Sequence, residues 1–337
     1  MKKKNLLKND AVQSLLASLG CIVFGLLVGY VVLLFIQPKG AGKAILTIIE
    51  NFFTYNRAET QMKYLGSTLV KTAPLLMCSL SILFAYKVGL FNIGAAGQYV
   101  VGSCASLYAA LAWGWSWLPC MLLAVAAGMA AGAIVGLLKT FCNVNEVISG
   151  IMLNWIFLYA TNMILTNVKE VASPYTYQMH SAAQQALLPS LGLDKLFPGS
   201  QVNAGILVAV LFAIVMYILI NKTTLGYQLK ACGSNRHAAR YAGIKDKRNI
   251  VLSMAIAGSM AGGGAALYYL SGNTEFFWST YQSLPATGFN GIPVALLAVN
   301  NPIAVIFTAI FMSMLDIIGL QLTNLTAYNE YITDVII

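Results

Sequence analysis

LGYQLKACGSNRHAARYAGIKDKR, running from Leu225 to Arg248, is the longest strongly polar segment lying between apolar spans. Its cations, Lys230, Arg236, Arg240, Lys245, Lys247 and Arg248, are opposed only by Asp246. Asn203 to Ile220 before it and Ile250 to Leu270 after it are apolar. A basic loop between two membrane spans reads as cytoplasmic, because Lys and Arg are retained inside during insertion. Within it, Tyr227-Gln-Leu-Lys-Ala and His237-Ala-Ala-Arg-Tyr-Ala predict a short surface helix, broken at Gly233-Ser-Asn and again at Gly243. A folded loop of this kind gives a cytosolic partner something to push on. A basic tether that only sets topology accounts for the same residues, and the loop alone leaves both open.

The rest of the composition agrees with a lipid setting. The 337 residues are 58% hydrophobic and only 9% charged, against roughly a quarter charged in soluble domains. A net charge of +9 would fit a nucleic-acid binder if it were spread out, but it is clustered. Lys2, Lys3, Lys4 and Lys8 precede the first span, and the loop above holds the other main group. Such clusters orient a chain and face anionic inner-leaflet lipid. The apolar run Val12–Ile36 is too long for a signal peptide and lacks a small-residue cleavage site, so it reads as a first span. Residues 1–11 are then a cytoplasmic N-terminus. The six cysteines (21, 78, 104, 120, 142 and 232) have no ligand-like spacing and read as small packing residues, with no metal site.

Walking the chain gives about ten helical spans in one all-α transmembrane domain, 1–337. Residues 37–63 and 166–201 read as external, and 222–248 as the cytoplasmic loop. Spans two to five run Gly66–Tyr86, Ile93–Trp113, Leu118–Leu138 and Val147–Leu165. Trp113-Gly-Trp-Ser-Trp fits an aromatic belt, and Gly128, Gly132 and Gly136 form a flat face for close helix packing. Span six is Asn203–Ile220 and span seven Ile250–Leu270; spans eight and nine are Pro285–Val299 and Ile303–Leu320. A tenth begins near Tyr331 and is incomplete at Ile337, so the reading expects a shortened chain or an unfinished last helix. Gly89-Leu-Phe-Asn-Ile-Gly opens span three and Gly288-Phe-Asn-Gly-Ile opens span eight. Two five-span repeats of inverted topology would explain that recurrence, as would two ordinary Gly-rich helix starts.

Irregular backbone at membrane depth must face protein or a water-filled cavity, which makes these openings candidate solute contacts. Phe91, Asn92 and Gln98 from the first, and Phe289 and Asn290 from the second, are expected to line a path, with Asn154 facing it or bonding across helices. Asn can hydrogen-bond a base or sugar edge and Phe can stack on a flat ring; packing helix ends together is the plainer role. Glu146, at the inner end of span five, is expected to cap a helix N-terminus. His180 and His237 sit in polar loops. No phosphate loop is present, since Gly40-Ala-Gly-Lys-Ala fails at its last position. HExxH, GxSxG in context and Cys/His clusters are also missing. Mid-span acids and bases are nearly absent, which argues against an ion-driven carrier.

GLFNIGAAGQYVVG (89–102), NEVISGIMLNWI (145–156) and GYQLKACGSNRHAARYAGI (226–244) resemble the permease subunits of bacterial ATP-binding-cassette importers. The branch is that of sugars, branched-chain amino acids and nucleosides. The likeness is strongest to the larger permease of nucleoside (guanosine-type) importers served by basic-membrane-protein lipoproteins. It implies a transport subunit of the bacterial cytoplasmic membrane that is not an enzyme and has no cofactor of its own, with ATP bound by a partner. It also implies a second homologous permease, a cytosolic ATPase and an extracellular binding lipoprotein, with a nucleoside as solute. Gly226–Ile244 then corresponds to the coupling segment, and Gly233, Asn235, Ala238, Ala239, Arg240 and Gly243 to its ATPase contacts. Ribose or another simple sugar is the alternative solute. A secondary carrier, or a membrane-embedded enzyme, is a more distant reading.

Overall fold

The computed structural model describes residues 10–169, 173–277 and 283–326. Most of the basic N-terminus and the expected tenth span near Tyr331 lie outside the described residues, as do positions 170–172 of the segment 166–201. The helices are α1 (Asp10–Ile36), α2 (Ala41–Glu50), α3 (Ala58–Tyr86), α4 (Ala95–Leu111), α5 (Trp117–Phe141), α6 (Glu146–Leu165), α7 (Met179–Ala182) and α8 (Leu193–Leu196). They continue as α9 (Gly205–Lys222), α10 (Thr224–Ser234), α11 (Arg236–Tyr241), α12 (Asp246–Tyr269), α13 (Ala286–Leu297) and α14 (Ala304–Leu325). Among the described residues the only extended pairing is two isolated bridges, Lys169 with Thr176 and Tyr175 with Phe277. The fold is all-α, as expected.

Every predicted span among the described residues forms a helix, but five helices are long and apolar enough to cross a membrane: α3, α5, α6 with its 3-10 extension to Val168, α9 and α12. Spans three and eight form close to their expected bounds as α4 and α13, and span eight is short, as read. At 17 and 12 residues, α4 and α13 fall short of the ~20 a full crossing needs. Short helices are tolerated at membrane depth where protein surrounds them and satisfies the freed backbone. The two Phe-Asn openings also differ locally. The first is irregular, whereas the second lies inside the opening turns of α13, which Pro285 starts.

Packing sorts the helices into inner and outer sets. In α3 and α12, 83% of the most apolar window is buried in the protein, against 28–39% in α5, α6 and α9. The outer helices therefore keep apolar faces for lipid or a neighbouring subunit. α12 lies at the centre, against α3, α4 and α5. Its Gly258 and Gly262 meet Gly128 and Gly132 of α5 backbone to backbone, and a Cβ on any of the four would run into the facing chain. This is the flat glycine face expected of span four, with its partner supplied by Val251, Met254, Gly258 and Gly262 of α12. The segment 37–63 is tied down by Asn51, whose Nδ2 donates to the Met314 carbonyl of α14 at 2.8 Å. Glu146 does not cap α6. Asn145 does, accepting from the Val147 N–H at 2.8 Å, while Glu146 pairs with Lys139 of α5.

Candidate functional site

The break before α4 begins as a helix-ending motif. Gly89 takes φ +72°; its N–H donates to the Tyr86 carbonyl at 3.0 Å, and the Leu90 N–H reaches back to Ala85 at 3.2 Å. These two bonds satisfy carbonyls that the end of α3 would leave open, and a left-handed turn costs any other residue about 1–2 kcal/mol. Beyond it, Asn92 and Gln98 bond reciprocally, Asn92 Nδ2 to Gln98 Oε1 at 2.7 Å and Gln98 Nε2 to Asn92 Oδ1 at 3.0 Å. Asn92 also donates to Ser81 Oγ of α3 at 2.9 Å. Asn154 of α6 accepts from the Gly97 N–H at 2.8 Å and donates to the Ile93 carbonyl at 3.0 Å. All three amides are buried. They lock the irregular turn to α3 and α6.

An Asn154→Leu chain would leave the Gly97 N–H and the Ile93 carbonyl unsatisfied in the interior, at about 1–3 kcal/mol for each buried group. The expected result is a lower melting temperature of the detergent-solubilised protein, read by size-exclusion recovery after heating. An unchanged melting temperature would mean that these two bonds do not hold the break.

The second Phe-Asn segment crosses the first. Gly288 backs onto Ala96 of α4 and Gly291 onto the Cys78–Ser79 backbone of α3. Phe91 and Phe289 are half-buried, while Asn290 is exposed and borders a small polar cavity shared with Lys71 and Asp316. The structure thus brings α4 and α13 together but treats their asparagines differently. Asn92 is committed inside and Asn290 is available. Asp316 was legible as a lone acid within span nine and deserved the default suspicion attached to an intramembrane charge. Its pairing with Lys71 of α3 adds one ion pair to spans whose charges are otherwise nearly absent.

Between α9 and α12 the polar loop forms two short helices, parted at Asn235, where the sequence suggested one short helix with breaks. Thr223 caps α10 by accepting from the Gly226 N–H at 3.1 Å. Asn235 ends α10 and caps α11, accepting from the Ala238 N–H at 3.0 Å. Gly243, at φ +81°, closes α11 while the Ile244 N–H donates to Ala239 at 3.0 Å. Asp246, 5% exposed, gathers the basic residues: Arg236 Nε donates to it at 2.8 Å and Arg240 Nη2 at 2.7 Å. That hydrogen bond raises the Arg240 pKa further, so its cation is permanent.

Asn235, Ala238 and Ala239 share a groove of about 640 Å³ with Tyr227. Gly233 faces the other way, with its Cα against the backbone of Lys87 and Gly89. Burial, and then the Lys230 ammonium, lower the Lys87 pKa at this junction. The loop is therefore joined directly to the break before α4. Asp246, Lys87 and the exposed Tyr227 and Tyr241 stand here too, although the sequence reading gave them no role in the site.

Residues 64–337 match the family described as branched-chain amino acid transport system / permease component. The chain belongs to this permease family. It is 36% identical over 281 residues to the guanosine ABC transporter permease protein NupP of Bacillus subtilis, covering 82% of this chain and 79% of that one. It is 34% identical over 326 residues to the nucleoside ABC transporter permease protein NupB of Lactococcus lactis, 94% and 86% of the two chains. Identity is 31% over 275 residues with the glucose ABC transporter permease protein TsgB13 of Haloferax volcanii, 77% and 71% of the two. No solved structure matches the permease. The permease is a membrane transport component and not an enzyme, and both polar regions just described fall inside the matched residues.

Proposed function

We propose that this permease carries nucleosides inward across the cytoplasmic membrane as one subunit of an ATP-binding-cassette importer, with its N-terminus inside. The observation that carries the solute is the similarity along nearly the whole chain to relatives named for guanosine and nucleosides. A second, homologous permease, a cytosolic ATPase and an extracellular lipoprotein complete the machine. Ten spans in two inverted repeats fit the packing. α3 lies against α13 and α14 as α12 lies against α4 and α5, and α3 and α12 pack on each other.

In this reading the ATPase docks in the groove of Asn235, Ala238 and Ala239, with Arg240 and Gly243 holding the loop's shape. Gly233 passes the motion to Lys87 and Gly89, and so to the break that Asn92, Gln98 and Asn154 fasten. Phe91, Phe289 and Asn290 flank the path that opens as the two permeases rock between inward and outward states. Weak solute contacts suffice, because affinity can reside in the lipoprotein.

The similarity to a permease named for glucose supports a simple sugar as the second reading. Uptake of labelled nucleosides, ribose and glucose, in cells carrying the complete transporter with this chain present or deleted, separates the two. Loss of nucleoside uptake alone is the expected result. Loss of sugar uptake alone would overturn the nucleoside assignment, and no loss of either would overturn transport of both solute classes.

A further inference from the structure

The Lys71–Asp316 pair joins α3 to α14 inside the two apolar runs, five residues in from the start of span two and four in from the end of span nine. Its side chains are 29% and 44% exposed. Ionisable residues inside membrane spans are costly and face partners or water, not lipid. The open side of this pair therefore meets a neighbouring protein or an aqueous path.

Beside it is a cavity of about 90 Å³, lined also by Tyr268, Thr287, Asn290 and Ser313. Ser313 is 1% exposed and its Oγ has no hydrogen-bond partner. An unpaired buried hydroxyl is costly and uncommon, and this one borders a space that can receive a partner. The cavity is far smaller than the several hundred Å³ of a whole-ligand pocket. It accommodates an edge of a solute.

The chemistry of the lining selects that edge. Lysine only donates and the carboxylate only accepts, while Asn290, Thr287, Tyr268 and Ser313 can do both. A free cation would meet the Lys71 ammonium and a free anion the Asp316 carboxylate. Two adjacent neutral hydroxyls, each able to donate and to accept, satisfy both charged groups at once. We infer that Lys71, Asp316, Asn290 and Ser313 form a subsite for the vicinal diol of a pentose, reached as the solute passes. Asp316 accepts from the two hydroxyls, Lys71 donates to one of them, and the Lys71–Asp316 bond is exchanged for these. The inference rests on the nucleoside reading above.

The test uses the complete importer in proteoliposomes, comparing uptake of a ribonucleoside with its 2′-deoxy counterpart. The lipoprotein is the same throughout, so any change in the ratio of the two rates reports this chain. Asp316→Asn should lower ribonucleoside uptake about tenfold, the equivalent of one charge-assisted hydrogen bond, and 2′-deoxynucleoside uptake much less. Ser313→Ala, a smaller change for a chain in which Asp316→Asn fails to fold, should shift the ratio in the same direction. Equal losses for both solutes, or an unchanged ratio in both variants, would make the pair a structural tie and overturn the subsite alone. A wild-type importer that takes up no nucleoside would overturn the nucleoside reading and the subsite with it.

Discussion

A Gly258→Leu chain is expected not to accumulate as a folded protein in the membrane. Gly258 lies against Gly128 and Gly132, and even a methyl group there would overlap backbone atoms of α5. Backbone cannot swing aside as a flexible side chain can. Adding methylenes to a well-packed core costs about 1–3 kcal/mol where neighbours can adjust, and here α5 and α12 would have to separate along their length. Since α12 also contacts α3 and α4, the damage would spread through the interior. Against a total stability of about 5–15 kcal/mol, that is a disabling loss. Membrane-fraction blots and size-exclusion profiles read the outcome. Gly42→Leu, at an exposed position with nothing near its Cβ, should accumulate normally. A Gly258→Leu chain that also did so would show that α5 and α12 do not meet through these glycines.

Asp246→Ala is expected to leave the protein folded and to sever uptake from ATP hydrolysis. The carboxylate is buried at the start of α12 and holds Arg236 and Arg240, one on each side of the α11 turn. Those guanidinium groups are 39% and 58% exposed, so solvent screens the pairs and their worth to overall stability is small. Their consequence is geometric. Without Asp246, α11 loses its fastening to α12, and the groove at Asn235 and Ala238 no longer moves with the membrane helices. Nucleoside uptake by the reconstituted importer should fall about tenfold or more, a loss of over 1.4 kcal/mol in coupling, while the ATPase keeps turning over. Arg240→Glu, which sets a second carboxylate beside Asp246, should act in the same way. Undiminished uptake in both variants would remove this cluster from the coupling argument.

Much of the architecture was legible in the chain because lipid imposes strong one-dimensional rules. Apolar runs of membrane length marked the helices, and the clustered cations marked the polar loop between α9 and α12. The Gly128, Gly132 and Gly136 spacing announced a close helix contact on its own. The Asn235 and Gly243 breaks in the polar loop were readable as turn chemistry. Where the reading went astray, the missing information was three-dimensional. Gly288-Phe-Asn-Gly repeats the residues before α4, yet here they are helical from Ala286 on, while the first copy is irregular. Glu146 looked like a cap because it stands at a helix start, but Asn145, one residue earlier, has the side chain that reaches the free N–H groups.

The candidate site shows the same division. Asn92, Gln98, Asn154 and Asn290 are alike in sequence, each a polar amide in or beside an apolar run. Which amides are spent on one another and which one remains open depends on how α3, α4, α6 and α13 cross, and hydropathy carries no trace of that. Asp316 and Lys71 are 245 positions apart, so neither could be read as half of a pair until α3 and α14 lay together. The sequence by itself determined that this is an all-helical membrane protein with a basic polar loop, since burial in lipid acts on each segment separately. Only the tertiary structure decided the partners of its polar groups, because hydrogen bonds and ion pairs depend on distances between segments far apart in the chain.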